Sequence, residues 1–211
     1  MIRFLLTDRN AHLKENIPQE QLNLGNVMRC VLISFGSNLA GPWGAPLRTF
    51  QAAVHELKQI GLEIKRVSSL YETDPLGGNW QPPYLNALVL AKSQEAPATL
   101  LRRLKQVEMK AGRRSRAKWS PRPLDLDILD FKGQHYGRPG VKRERGRLIL
   151  PHPEMHKRAF VLVPLVEIAP HWQHPVLGIK GSALLARLGP QRRGVRRILD
   201  SRWHSCEKEQ S

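Results

Sequence analysis

Asp125 and Asp127 sit two residues apart in the run Lys118-Trp119-Ser120-Pro121-Arg122-Pro123-Leu124-Asp125-Leu126-Asp127-Ile128-Leu129. From Leu124 to Phe131 apolar residues are dense, as in a buried strand. On a strand, residues i and i+2 share a face and lie roughly 6.5–7 Å apart. The two carboxylates therefore stand side by side. Left unpaired on a buried strand they would be costly. A divalent cation, or a pair of them, removes that cost. Hard oxygen ligands at this spacing suit Mg²⁺ held jointly with substrate phosphates. The plain alternative is two Asp at the wet edge of an amphipathic strand. Arg113, Arg114, Arg116, Lys118 and Arg122 lie just upstream, and such a cluster suits a polyanionic ligand. That context tips the reading toward a metal–phosphate site.

The chain around this site has 211 residues, enough for one domain with a real core. No apolar run approaches the roughly 20 residues of a membrane span. The first residues, Met1 to Arg9, carry too short an apolar stretch for a signal peptide. Only Cys30 and Cys206 occur, which makes no disulfide framework and fits a reducing cytosol. The formal net charge is +16, and it is clustered. Residues 102–122 hold nine Lys/Arg against Glu108, residues 132–147 six against Glu144, and residues 187–202 six against Asp200. Such clusters imply a polyanionic partner, either nucleotide phosphates or nucleic acid.

The elements that must position the carboxylates follow from periodicity. Val31 to Phe35 reads as a buried strand ending at the turn Gly36-Ser37-Asn38. Pro46 suits a first helical position, and Leu47, Phe50, Val54, Leu57 and Ile60 follow at helical spacing up to Gly61. Leu62 to Tyr71 reads as one long strand, Asp74 to Pro83 as a loop, and Tyr84 to Ala91 as a strand. Pro97 opens a second helix with Leu100, Leu101, Leu104 and Val107 inward. Gly112 to Pro121 is a basic loop. Leu148 to Leu150 reads as a short strand, Phe160 to Ile168 as an apolar run, and Ala183 to Leu188 as a short helix. Three segments are expected: an N-terminal extension over 1–27, or a true start at Met28; a domain over 28–190; and a frayed basic tail over 191–211. The element order predicts an α+β fold, a ferredoxin-like three-layer αβα sandwich with a mostly antiparallel central sheet.

Six blocks then carry a family pattern: Gly36-Ser37-Asn38-Leu39; Ser68 to Leu76; Tyr84-Leu85-Asn86-Ala87; Glu108 with Gly112-Arg113; Arg122 to Asp127; and Pro151-His152-Pro153-Glu154-Met155 with Arg158 and Phe160, running on to Pro164-Leu165 and Glu167 to Pro170. Together they cover about residues 29–178. The chain resembles 6-hydroxymethyl-7,8-dihydropterin pyrophosphokinase, a folate-pathway enzyme. The resemblance implies transfer of the pyrophosphoryl group of ATP to a pterin hydroxymethyl group, with release of AMP. It implies two Mg²⁺ ions on Asp125 and Asp127. It implies Arg113 and Arg122 over the phosphates, His152 and Arg158 on the triphosphate, and Glu108 helping to place ATP. It implies a pterin ring between Tyr84 and Phe160, with Asn86 and groups near Thr73 and Leu76 at its edge.

Departures from the pattern accompany the match. Ser120 stands where the family has Gly or Ala. Asp74 stands where an apolar residue or proline is usual. The loop from Gly112 to Trp119 is one residue short, so either Arg114 or Arg116 could be the second loop arginine. The insertion Arg138 to Arg147 lies outside the pattern. The resemblance implies a cytoplasmic, monomeric enzyme with small-molecule substrates and no membrane. Nucleic acid at the basic tail is not the expected partner. The competing readings are a nucleic-acid-binding paralogue of this fold and a kinase acting on a different pterin.

Overall fold

Alternation along the first strand sets up two cores. β1, Val31–Ser37, sends Val31, Ile33 and Phe35 to one face of the sheet and Leu32 to the other. The computed structural model describes residues 30–75, 81–114, 120–137 and 148–205. Expectations for residues 1–27, Met28, Leu76, the insertion at 138–147, Cys206 and the middle of the basic loop at 115–119 fall outside those residues.

Five more strands complete the sheet: β2 Glu63–Val67, β3 Leu70–Thr73, β4 Tyr84–Lys92, β5 Asp125–Phe131 and β6 Val195–Leu199. Their order is β5-β1-β4-β3-β6, with β2 also on β4, and every pairing is antiparallel. α1 Pro46–Gln59 and α2 Pro97–Lys110 each begin at a proline, whose missing N–H is no loss in a first helical turn. Phe50, Val54 and Leu57 of α1 and Leu100, Leu104 and Val107 of α2 cover the face of Val31, Ile33 and Phe35. The other face, with Leu32, Leu88 and Leu90, is covered by α3 Ala159–Ile168, α4 Gly181–Arg187 and Trp172. The expected apolar run is thus a helix. It is apolar nearly all round, as a fully packed helix must be, and burial outweighs Pro164 within it. No helix among the described residues is long and apolar enough to cross a membrane.

The structure differs from the sequence reading in three places. The single strand expected over 62–71 breaks at Ser68-Ser69, where Ser68 N still donates to Leu88 O at 2.9 Å but side chains take the other ladder bonds. Ser68 Oγ accepts from Leu88 N at 2.9 Å, and the Glu167 carboxylate receives Ser69 N at 3.0 Å, Ser69 Oγ at 2.6 Å and Tyr71 OH at 2.9 Å. Leu148 to Leu150 contributes one bridge, Leu150 to Tyr136, and no strand. The largest difference is the C-terminal segment. The tail expected to fray from 191 onward pairs β6 with β3 and buries Trp203 in the α1/α2 core. An arginine-rich strand carries no hydrophobic alternation, so the sheet edge, not local pattern, orders it.

β5 carries a bulge that aims a buried acid. Ile33 pairs with Ile128 and Leu32 with Asp130, so Leu129 is the extra residue. Leu129 and Asp130 then both turn toward α3, where Asp130 accepts from Trp172 Nε1 at 2.9 Å. Burial pushes the Asp130 carboxyl up, against the Trp172 and Gly133 donors. Nearby, His174 is 4% exposed and its Nδ1 accepts from Val176 N and Leu177 N. Burial, with help from His156 and His135, pushes the His174 imidazole down to about 4. Its neutral form contributes stability above the ordinary histidine value, and that stability is lost as pH falls through about 4. The expected loss between pH 6.5 and 4 is about 3 kcal/mol relative to His174→Asn, which keeps an acceptor but does not titrate. Thermal melts of both proteins across that window check it. Parallel curves would remove His174 from the pH dependence.

Candidate active site

β5 begins at the site, and its neighbours are placed by the pairing register. Gly36 of β1 lies opposite Asn86 of β4 on one side and Asp125 of β5 on the other. Ser34 lies opposite Asp127, and its hydroxyl donates to the Asp127 backbone oxygen at 3.4 Å. Asp125 and Asp127 share the face that looks away from Leu126 and Ile128 and toward the α3 layer. The side-by-side geometry expected from their spacing is present.

Asp125 is held by two guanidiniums. Arg113 Nη1 pairs with Oδ1, and Arg122 Nη1 donates to Oδ2 at 2.7 Å. Burial alone would raise the Asp125 carboxyl, but Arg113, Arg122 and Lys105 together hold it below the usual carboxylate range. Asp127 is less engaged. Its side chain is 37% exposed, and Lys105 Nζ approaches Oδ1 at 3.8 Å.

Two backbone features aim the arginines. Gly112 ends α2 at φ +90°, and a Cβ there would meet Pro42 Cδ at 2.5 Å, so only glycine fits the turn. The chain then folds back, with Arg113 N donating to Glu108 O at 2.9 Å. Arg122 is pinned by Asn38, which is 3% exposed. Asn38 Oδ1 accepts Arg122 N at 3.0 Å, while its Nδ2 donates to Gln81 Oε1 at 3.2 Å and Pro82 O at 3.3 Å.

Glu108 underlies the whole arrangement. It is 1% exposed, and Oε1 accepts from Leu126 N at 2.7 Å and from Lys105 Nζ at 2.7 Å. Oε2 lies 2.7 Å from Arg113 Nη1. Burial pushes its carboxyl up, and Lys105 and Arg113 oppose that. Lys105 also donates to Leu126 O at 3.1 Å. Sequence reasoning missed Lys105 and Asn38. Lys105 had a usable signal, since it sits three residues before Glu108 on the same face of a helix. Asn38 looked like an ordinary turn residue.

Lys105, Arg113, Arg114 and Arg122, with Gly112 and Ser120 to Pro123, line a cleft of about 370 Å³. Beyond Gly36, Asn86 Nδ2 donates to Thr73 Oγ1 at 2.9 Å and to Tyr84 O at 3.2 Å. Tyr84 is half-buried beside Arg122, and burial raises its hydroxyl. Phe160 stands in the first turn of α3 with the Arg158 guanidinium 5.7 Å from its ring centre. Tyr84 and Phe160 lie on the same side of the sheet as Asn86. Their rings do not touch. His152 precedes the 3₁₀ turn Met155–Lys157, bonds Leu129 O through its backbone, and accepts Glu154 N at Nδ1.

Two hard carboxylates beside a cation-walled cleft suit a polyphosphate bound with a divalent ion. Among the described residues no group of three or more His, Cys, Asp or Glu could hold a metal by itself. Such a pair must share its ion with ligand oxygens and water, the habit of Mg²⁺ at phosphate sites. The arrangement is that of an α+β protein, an antiparallel sheet flanked by helices, with a polyanion-binding cleft beside two carboxylates.

The comparisons narrow that class. A family described as 7,8-dihydro-6-hydroxymethylpterin-pyrophosphokinase matches residues 32–170. The chain belongs to this family. It is 42% identical over 141 residues to 2-amino-4-hydroxy-6-hydroxymethyldihydropteridine pyrophosphokinase of Synechocystis sp., covering 66% of this chain and 68% of that one. With the Bacillus subtilis protein of the same name it is 35% identical over 169 residues, covering 80% of this chain and 95% of that one. The wild-type HPPK-DHPS structure of Plasmodium falciparum superposes with a TM-score of 0.61 at 16% identity, over 80% of this chain and 47% of that one. The last match shows fold alone, and this chain spans about half of that protein.

Proposed function

We infer that this protein is an ATP-dependent diphosphokinase of folate biosynthesis. It transfers the pyrophosphoryl group of ATP to the hydroxymethyl group of 6-hydroxymethyl-7,8-dihydropterin and releases AMP. The observation that carries the reading is the family match over 32–170, which contains both carboxylates and the cationic cleft. The nucleic-acid reading draws no support from these relatives. The strand order supports the ferredoxin-like three-layer description. With β2 and β3 counted as one broken strand, the sheet reads β5-β1-β4-β2/3 before β6 is added.

Asp125 and Asp127 are the residues we assign to two Mg²⁺ ions. Bound there with ATP oxygens, Mg²⁺ would supply charge neutralisation and a template for the attacking hydroxyl. The chain's own groups do the rest. Lys105, Arg113 and Arg122 bind phosphate oxygens from the cleft. Arg113 and Arg122, which pair with Asp125, would turn to those oxygens and leave that carboxylate to hold Mg²⁺. His152 and Arg158 meet the triphosphate from the α3 side. Glu108 is expected to help place ATP, and its burial supports an indirect way of doing so. Buried and with both oxygens engaged, it acts by positioning Lys105 and Arg113. The residues do little covalent chemistry, as fits phosphoryl transfer, where positioning and electrostatics dominate.

Tyr84 and Phe160 are assigned to the two faces of the pterin ring, Asn86 and Thr73 to its edge. Leu76, assigned with them, lies outside the described residues. The protein is taken to act as a cytoplasmic monomer, which sedimentation of the purified chain would check. AMP release that needs Mg²⁺, ATP and hydroxymethyl-dihydropterin together tests the function directly. Within that assay, Tyr84→Ala or Phe160→Ala should weaken pterin binding by about 1–3 kcal/mol and spare ATP binding. Calorimetry on each ligand separately reads this. Equal losses for both ligands would make the two rings supports of the fold.

A further inference from the structure

A second cavity, of about 440 Å³, opens at the edge of the sheet, and strand order explains it. β2 and β3 follow one another along the same side of β4. β6 pairs with β3 only, and after Leu199 the chain turns into the 3₁₀ segment Ser201–His204. The outer edge of β2 therefore has no strand partner among the described residues. Ile64 to Val67 form one wall of the cavity, Ile168 at the end of α3 another, and Ser201 and His204 close it. β2 pairs with Val89 to Lys92, so the cavity lies about 10–20 Å along β4 from Asn86.

Lys58, Lys65 and Arg66 bring three cations to this cavity. Lys65 pairs with Glu63. Lys58 Nζ makes no hydrogen bond or ion pair among the described residues. Arg66 gives Nη1 to Ile168 O at 3.0 Å, and its other donors have no partner among the described residues. Lys58 in the last turn of α1, and Arg66 at the last carbonyl of α3, each suit a helix end. That role calls for no cavity, and neither cation meets an acid there. Glu167, the acid in the lining, receives Ser69 N, Ser69 Oγ and Tyr71 OH, so both its oxygens are engaged. Ile64, Val67 and Ile168 add an apolar side. The volume falls within the roughly 300–1,000 Å³ of small-molecule sites.

We propose that this cavity is a second ligand site, for a small molecule that carries a phosphate or carboxylate on an apolar body. Lys58 and Arg66 hold the anionic head, and Ile64, Val67 and Ile168 cover the body. The site is separate from the cleft beside Asp125 and does not depend on the pyrophosphokinase reading.

Amide NMR titrations of the full chain with phenyl phosphate and with benzoate test it, each beside its ring-free counterpart, inorganic phosphate or acetate. At least one ring-bearing anion should give saturable shifts at Ile64 to Val67 and Ser201 to His204. Shifts at Arg113, Arg122 and Asp125 report the cationic cleft and are read separately. The ring-bearing anion should bind at least about 5-fold more tightly than its counterpart, because its ring covers apolar surface. Whether phenyl phosphate or benzoate does so names the head that the site takes. Lys58→Gln should weaken that binding about 10-fold, as loss of one charge-assisted contact does. Lys65→Gln, whose cation already has a carboxylate, should change it less than about 2-fold. Lys58→Arg, which keeps the charge, should bind as the wild type does. The proposal is overturned if neither anion shifts these amides saturably, or if the ring adds no affinity. It is also overturned if Lys58→Gln and Lys65→Gln weaken binding alike, since net charge alone would then explain it. A loss in Lys58→Arg equal to that in Lys58→Gln would tie the effect to the fold and overturn it too.

Discussion

Asp127→Ala is expected to lose turnover by about 10³-fold or more while melting at the wild-type temperature. The rate effect follows from the role proposed for this carboxylate, since a divalent ion at a transferring phosphoryl group contributes several kcal/mol. The neutral effect on stability follows from its surroundings. The Asp127 side chain is 37% exposed, and among the described residues the ion pair it makes is a long one, with Lys105 at 3.8 Å. Its bond from Ser34 is made to the backbone and survives the substitution. Asp125→Ala should lose turnover equally but also lose stability, by about 1–2 kcal/mol, between the values for exposed and buried ion pairs. It leaves Arg113 and Arg122 without their shared carboxylate. On sequence grounds, removing either of two repelling carboxylates would be neutral or stabilising. The tertiary structure makes the pair unequal, because the guanidiniums reach only the first. Steady-state AMP formation at saturating Mg²⁺, with thermal melts, reads both effects. Near-normal turnover in Asp127→Ala would remove the metal assignment.

Trp203→Ala should cost about 4 kcal/mol, and a chain ending at Pro190 at least as much. Trp203 is 5% exposed, with its ring centre 5.9 Å from that of Phe50. Its Nε1 donates to Ser68 O at 2.8 Å, and its backbone oxygen accepts Gln51 Nε2 at 2.8 Å. One residue thus clasps α1 and the break between β2 and β3. The shortened chain also loses β6, and with it the pairing of Leu70 to Thr73. Thr73 holds the Asn86 amide, so pterin affinity should fall along with stability. Composition alone made residues from 191 onward look like a frayed tail, and the packing of β6 and Trp203 reverses that expectation. Melting temperatures of the two variants against the full chain are decisive. A shortened chain that melts with the wild type would mean that β6 and Trp203 add nothing to the fold.

The main strands and the two long helices were legible in the sequence because each carries its own period. Phe50, Val54 and Leu57, or Leu100, Leu104 and Val107, mark a buried helix face without help from any other element. The carboxylate pair was legible for the same reason, since two residues on one strand share a face wherever that strand packs. Residues that act through distant partners were not legible in this way. Glu108 reads in sequence as one acid in a basic stretch, and only the α2–β5 contact makes it the buried hub of Lys105, Arg113 and Leu126. β6 has no apolar alternation, so only the free edge of β3 orders it. Gly36 shows the division most plainly. Its type and its place at a strand end are written in the chain, whereas the row it forms with Asn86 and Asp125 depends on the register of three strands far apart in sequence. Periodicity is a local property that the sequence carries by itself. Register, burial of charge and edge pairing come from contacts between segments, and those the tertiary structure alone decides.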